Sequence, residues 1–250
     1  MTISEKSWVR YIDRLRKVNK GAAEKMLAFL ETHKDSNGLW DASEVRQAVI
    51  DYAYGLSTTY GEAAAELACE MYDEAASLSG VALPSAEPAA TATYGEVAKQ
   101  VNGTLKYQNP QIISQAVERL VKLSEVDTVL NNALRDGAEW AWIPHGDTCP
   151  YCITLASQGW QYASKEAIRD GHAEHVHANC DCTYAVRFNE QTNVEGYNPN
   201  KYKRIYDHAD GRTGKDKIRA MYREEYARNK DEINARKRAE YAARKEREEA

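Results

Sequence analysis

Four of the five cysteines in this chain lie in one 34-residue window and form two pairs. The first pair, Cys149 and Cys152, has C-x2-C spacing, and the second, Cys180 and Cys182, has C-x-C spacing. Cys69 lies far upstream in an alanine-rich stretch. Thiol pairs separated by a loop, with histidines beside the second pair, are typical of a tetrahedral Zn²⁺ site.

The window offers one ligand more than a structural zinc site needs. Such a site takes four ligands, and C-x2-C spacing lets both sulfurs face one ion. The second half supplies three further donors, so the predicted set has five members: Cys149, Cys152, His177, Cys180 and Cys182. The sequence leaves open which four bind. We expect His172 and His175 to lie at the surface or behind the ligands.

Disulfides are the main alternative for these thiols. Bridges within either pair would close very short loops, whereas bridges across the window would make a better cross-link. The first residues contain no apolar stretch of signal-peptide type, so we expect synthesis in the cytoplasm rather than in an oxidising compartment.

Catalytic zinc patterns match the window poorly. A deaminase places H-x-E before its C-x-x-C, whereas here the order is reversed. The string from His172 to His175 is one residue short of the inverted zincin motif. We therefore predict no catalytic residues and no enzyme activity. A zinc-dependent hydrolase is the alternative, with Glu174, Asp147 and Asp181 as the nearby carboxylates.

Composition limits the classes of protein to which the chain can belong. The chain has 250 residues, 43% of them hydrophobic and 28% charged, which indicates a globular protein of one large or two modest domains. A net charge of −5 excludes a uniformly basic nucleic-acid binder. No run approaches 18 apolar residues, so we expect no membrane span.

Hydrophobic periodicity predicts helices through the first half. Apolar residues recur every three or four positions over 8–30, and an alanine-rich helix follows at about 42–79. Their small residues favour a helical hairpin. After a linker at 81–88, further helices are predicted: 94–104, 110–123 and 127–136.

The residue pattern changes around the thiol window, from helical to mixed helix and strand. Residues 139–144 and 183–188 are expected to be strands and 164–170 a short helix, with the metal ligands at strand ends and turns. The predicted fold class is α+β and predominantly helical. Its expected parts are an N-terminal helical hairpin (1–80), a linker and helical region (81–136), a zinc-stapled α+β module (137–195) and a charged C-terminal helical tail (196–250).

The tail is a long charged helix from about residue 214. Residues 212–250 hold 13 Lys and Arg against 9 Asp and Glu, a local excess of +4. Mixed charge favours an exposed helix stabilised by i,i+4 pairs and allows a weak DNA contact. Arg236, Lys237 and Arg238 are the residues to test for that contact.

Two strings in this region resemble the minor head proteins of tailed bacteriophages, the phage Mu F-like family. They are residues 138–152, AEWAWIPHGDTCPYC, and residues 174–188, EHVHANCDCTYAVRF. The family pattern of C-x2-C, a loop and H-x-x-C-x-C maps onto the five candidate ligands. Residues 196–202 are also similar to the branch from phages of Gram-positive hosts. Ala178 departs from the proline that often follows the motif histidine.

This resemblance implies a structural role. Such proteins are low-copy components of the capsid interior that associate with portal, major capsid or scaffold proteins during procapsid assembly. The expected location is the virion interior, and the host cytoplasm during assembly, with neither a membrane nor a small-molecule substrate. Some relatives are labelled maturation proteases, but this chain has no Ser–His–Asp order and no metalloprotease helix.

Overall fold

The protein is described by a computed structural model that covers residues 2–34, 42–146, 148–164, 178, 180–190 and 193–248. Helix makes up 69% of it, which confirms the predicted class, a predominantly helical α+β fold. The elements in chain order are β1 (Thr2–Ile3), α1 (Glu5–Glu31), α2 (Ala42–Ser79), α3 (Tyr94–Leu105), α4 (Pro110–Asp136), β2 (Glu139–Ile143), α5 (Pro150–Ala156), β3 (Gln161–Tyr162), β4 (Thr183–Arg187), β5 (Asn193–Val194), α6 (Pro199–His208) and α7 (Gly214–Glu248).

Helix α1 begins at a capped end and buries one stripe of side chains. The Ser4 hydroxyl accepts a hydrogen bond from the Ser7 backbone N–H at 3.1 Å, which satisfies one of the free amides of the first turn. The helix packs against α2 and α4. Its buried residues follow the predicted spacing of three and four: Trp8, Tyr11, Ile12, Leu15, Asn19, Ala22, Met26 and Leu30.

Helix α4 is one continuous helix, so the prediction of separate helices at 110–123 and 127–136 was wrong. In the sequence, Ser124 and Glu125 suggest an interruption of the helix, yet both are almost fully buried, at 2% and 1% exposure. The helix tolerates Glu125 because hydroxyl groups from elsewhere in the fold donate to its carboxylate. It ends where predicted, at Gly137, whose φ of +67° closes the last turn.

The segment between α2 and α3 is irregular but anchored along α4. The backbone N–H of Glu87 donates to the Asn132 side chain at 2.9 Å. The backbone N–H of Ala89 donates to the Thr128 hydroxyl, also at 2.9 Å. Side chains of α4 thus replace the backbone partners that this segment lacks.

The strands form a small antiparallel sheet in the order β3-β2-β4. The predicted strands 139–144 and 183–188 are confirmed to within a residue. Glu139 lies opposite Arg187, and their side chains form an ion pair with N–O distances of 2.7 and 3.1 Å. At the other end Ile143 lies opposite Thr183. A separate parallel pair joins β1 to β5.

The chain divides into two compact units. The first comprises Met1–Gly146 with Gly159–Tyr197, and the second comprises Asp147–Gln158 with Asn198–Ala250. In the second unit α5 packs against α6 and α7. The tail predicted as helical over 196–250 contains a separate helix that the sequence did not predict, α6, which begins at an Asn198 cap followed by Pro199 in its first turn. The four-part division drawn from the sequence stays a prediction. Among the described helices, none combines the length and the apolar character needed to span a bilayer.

Candidate metal centre

The first thiol pair lies at the beginning of a helix rather than in a turn. Cys149 is the N-cap of α5, with extended backbone, and Pro150 occupies the first helical position. The Cys149 sulfur accepts a hydrogen bond from the backbone N–H of Cys152 at 3.5 Å. Cys152 is fully buried, whereas Cys149 is partly exposed. Helical geometry therefore sets the relative orientation of the two thiols.

Cys149 also lies close to a tyrosine of α7. The Tyr222 hydroxyl is within hydrogen-bonding reach of the Cys149 thiol. Burial, followed by the neighbouring thiol of Cys149, raises the pKa of Tyr222 to about 12. Tyr222 therefore stays a neutral hydroxyl at physiological pH.

The second thiol pair directly precedes β4. Cys182 is fully buried, and Cys180 is partly exposed. The Cys182 sulfur lies 3.4 Å from the backbone nitrogen of His145 and 3.9 Å from its carbonyl oxygen. Because β2 ends at Ile143, the pairing of β2 with β4 places this sulfur at the end of the sheet.

Charged side chains of α1 and α4 hold the backbone between these two cysteines. Lys122, only 3% exposed, donates from Nζ to the Cys180 carbonyl oxygen. Arg16 forms an ion pair with Asp181 at 2.8 Å and a second one with Asp13 at 2.9 Å. The segment is thereby tied to two helices whose residues lie far from it in sequence.

A buried carboxyl group supports the first residue of β4. The hydroxyls of Tyr11 and Thr183 both donate to Oε1 of Glu125, the former at 3.0 Å. Burial raises the pKa of Glu125 to about 7, although the two hydroxyls and Lys122 act in the opposite direction. Burial and the neighbouring Glu125 also raise the pKa of Tyr11.

The sequence analysis missed this supporting set, although α4 carries a signal for it. Lys122 and Glu125 are spaced by three residues within a helix whose other buried positions are mainly apolar. Charges on the buried stripe of a helix need partners, because an isolated buried charge is costly. Such a pair predicts a polar contact across the core.

The structure describes four of the five predicted ligands, and each compact unit contains one thiol pair. Each pair has one fully buried cysteine, Cys152 in the first pair and Cys182 in the second. Thiolates are soft donors that bind Zn²⁺, so both pairs have the chemistry of zinc ligands.

His177 lies outside the described residues, as do His172, His175, Glu174, Asp147 and most of the short helix predicted at 164–170. None of the five cysteines forms a disulfide of the kind considered above.

Comparison with known proteins identifies a family over most of the chain. The sequence matches the VG15 protein family over residues 2–209. The chain therefore belongs to the VG15 family, and the match supports the broader part of the resemblance, a bacteriophage protein. The searches of curated proteins and of solved structures each returned no match.

Proposed function

We propose that this protein is a minor head protein of a tailed phage, of the Mu F-like kind, and acts structurally in procapsid assembly near the portal. It would reside in the capsid interior, and in the host cytoplasm during assembly. The observation that supports this best is the match to the VG15 family over residues 2–209, which supports the phage part. The two thiol pairs of the Mu F-like pattern add to it, since Cys152 and Cys182 are both fully buried.

We propose Zn²⁺ as the metal of this centre. Its four ligands would come from the five candidates Cys149, Cys152, His177, Cys180 and Cys182. Zinc held by four protein ligands cross-links chain segments and contributes folding free energy directly. Lys122, by binding the Cys180 carbonyl, would hold the second thiol pair in place whether or not metal is bound.

One feature favours a structural centre over a hydrolase at the second thiol pair. The cavity beside Cys180 and Cys182 has a volume of about 10 Å³, which leaves room for about one water molecule and none for a peptide or nucleotide. The neighbouring Asp181 is paired with Arg16 at 2.8 Å and so is not free to act as a general base. Beside Cys149, by contrast, Glu224 and Glu225 line a cavity of about 460 Å³, so the hydrolase is kept as the second candidate function.

Metal analysis of the purified full-length protein tests the zinc proposal. One zinc per chain is expected in the wild type and in Cys69→Ser, a control that alters a buried thiol elsewhere in the chain. Cys182→Ser should lose most of the metal and destabilise the sheet. Full retention of zinc by Cys182→Ser would contradict the assignment. Cleavage of DNA or peptide that Glu174→Gln abolishes without loss of fold would favour the hydrolase.

We assign contact with partner proteins, the docking role, to α7. This helix exposes Tyr226 and Tyr241, at 45% and 61%, along a mostly charged surface. Exposed tyrosines on a helix are common anchors in protein interfaces. Portal and major capsid proteins are the proposed partners.

Co-expression with the portal and major capsid proteins tests this role. The wild-type chain should enter particles, and Tyr226→Ser with Tyr241→Ser should reduce its incorporation. Tyr107→Ser is the matched control, because Tyr107 is similarly exposed, at 57%, at the end of α3. Absence of the wild-type chain from particles would refute the assembly role, whatever the outcome of the metal analysis.

A weak DNA contact through the tail is a separate part of the proposal. Neutralising Arg236, Lys237 and Arg238 to glutamine should lower DNA binding and make it less sensitive to salt, because fewer counterions are released. Fluorescence anisotropy with a labelled duplex at several salt concentrations measures both quantities. Identical salt dependence in the variant and the wild type would exclude these residues.

A further inference from the structure

The exposed face of α7 carries cations and tyrosines at regular steps. Eight residues recur every three or four positions, so they fall within about 80° of one another around the helix axis. At 1.5 Å per residue they extend over about 39 Å. All of them are exposed except Ile233, which is half-buried. The residues of this surface, the α7 stripe, are Lys215, Arg219, Arg223, Tyr226, Lys230, Ile233, Lys237 and Tyr241.

Among the side chains that the structure describes, no carboxylate lies on the α7 stripe. Glu224 and Glu225 lie on another side of the helix, where they line a cavity against α5 and α6 together with the buried Met221. Asp216, at the edge of the stripe, accepts hydrogen bonds from the backbone N–H and the hydroxyl of Thr213 at 3.2 and 2.8 Å. The packing of α7 therefore directs these two glutamates towards α5 and leaves the cations in solvent.

The five cations of the α7 stripe form no ion pair within the described part of the chain. Other cations of the same unit do have partners. Lys203 forms an ion pair with Asp207 at 3.1 Å, and Lys217 donates to the carbonyl oxygens of Tyr206 and Asp207 at 2.9 and 3.2 Å. The positive charge of the stripe is thus available to an anionic partner.

We infer that the α7 stripe binds double-stranded DNA along its phosphate backbone, without reading base sequence. The inference rests on the DNA contact proposed for the tail and is independent of the assembly role. Duplex DNA carries one negative charge per about 1.7 Å, so it complements a row of cations about 39 Å long. Tyrosine hydroxyls also donate to phosphate oxygens. Of the three tail cations considered above, only Lys237 belongs to the stripe.

The composition of the α7 stripe disfavours a membrane surface as the partner. A helix that lies on a bilayer buries a face of tryptophan, phenylalanine or leucine among the lipids. Ile233 is the only aliphatic residue of the stripe, and its other apolar rings belong to tyrosines.

Fluorescence anisotropy of the full-length protein with a labelled duplex, at salt concentrations from about 50 to about 200 mM, tests the inference. Five neutralised phosphates give a slope of log K against log salt of about −4.5, which is a loss of affinity of about 500-fold over this range. The triple variant Arg219→Gln, Arg223→Gln and Lys230→Gln should reduce the slope to about −1.8, a loss of about 12-fold. Arg219→Lys with Arg223→Lys should keep the wild-type slope, because lysine also neutralises a phosphate.

The matched control removes three cations of α7 that lie outside the stripe, by Arg228→Gln, Arg236→Gln and Arg238→Gln. It changes the net charge equally and should keep the wild-type slope. Circular dichroism establishes that each variant keeps its helices.

Three results would overturn the inference. A control variant that loses as much slope as the stripe variant would leave the DNA contact of the tail in place but remove it from the stripe. Absence of binding by the wild type at about 50 mM salt would remove both, without bearing on incorporation into particles. Tighter binding to vesicles of phosphatidylcholine and phosphatidylserine than to the duplex, at equal phosphate concentration, would assign the stripe to a membrane.

Discussion

Replacement of Glu125 by glutamine should stabilise the protein at alkaline pH. Tyr11 and Thr183 both donate to Oε1, and the glutamine amide oxygen can accept the same two bonds. Glutamine therefore resembles the neutral, protonated carboxyl and cannot ionise. The substitution removes an ionisation that burial disfavours and keeps the contacts that support β4.

The size of the expected stabilisation follows from the pKa of Glu125. Folding raises the pKa of Glu125 from 4.5 to about 7, and each pH unit between these values corresponds to about 1.4 kcal/mol. A carboxyl with a raised pKa stabilises the folded state below pH 4.5, and this contribution is lost as the pH rises through 7. Glu125→Gln should therefore raise the free energy of unfolding by about 3 kcal/mol at pH 8, by less than about 1 kcal/mol at pH 5 and by almost nothing at pH 4.

Urea unfolding followed by tryptophan fluorescence measures this difference, because Trp140 and Trp142 lie in β2 beside β4. The exposed control Glu24→Gln should stay within about 0.5 kcal/mol of the wild type. Glu125→Leu should be destabilised at every pH by about 1–3 kcal/mol for each hydroxyl left without an acceptor. The reasoning fails if Glu125→Gln is no more stable than the wild type at pH 8, or if its advantage does not change with pH.

Three further predictions concern the other buried sites. Cys182→Ser should lose zinc and at least about 3 kcal/mol of stability by calorimetry, while Cys69→Ser keeps its metal; equal melting with and without chelator in the wild type would contradict this. Gly61→Ala should lower the free energy of unfolding in urea by about 1–3 kcal/mol, because the new Cβ would lie 2.7 Å from Ser124 Oγ; a neutral result would show that Ser124 and Thr91 can move aside. Asp127→Asn should raise the free energy of unfolding by about 3 kcal/mol at pH 8 and much less near pH 4, since folding raises the pKa of Asp127 from 3.8 to about 6; a pH-independent gain would refute that cause.

The helices were the most predictable part of the fold. In α1 and α2 the apolar spacing reflects burial of one face, so local pattern and tertiary packing agree. The prediction failed in α4, where Ser124 and Glu125 look like a break. Their burial depends on hydroxyl partners from distant segments, which a local pattern does not contain. The helix α6 was missed although Tyr202, Ile205 and Tyr206 recur along it at steps of three and four, a pattern that predicts an amphipathic helix.

The features of the candidate metal centre also differ in how far the sequence predicts them. Cysteine type and spacing predicted a zinc motif without any knowledge of the fold. Tertiary structure decided the surroundings of each pair, since Cys149 caps α5 and the Cys182 sulfur lies beside the His145 backbone. It also revealed the support beneath the second pair, since Lys122 contacts a residue 58 positions away.

The amino-acid sequence by itself determined the helical character of this protein, its two strands at the thiol window and the soft chemistry of its ligands. These depend on residue type and short spacing, which act locally. Tertiary structure decided that burial raises the pKa of Glu125 to about 7 and that Lys122 contacts the Cys180 carbonyl. These depend on burial and on long-range contacts, such as the 114 residues between Tyr11 and Glu125. Only chain packing creates such contacts, because the desolvation that changes a group's chemistry comes from its neighbours in space.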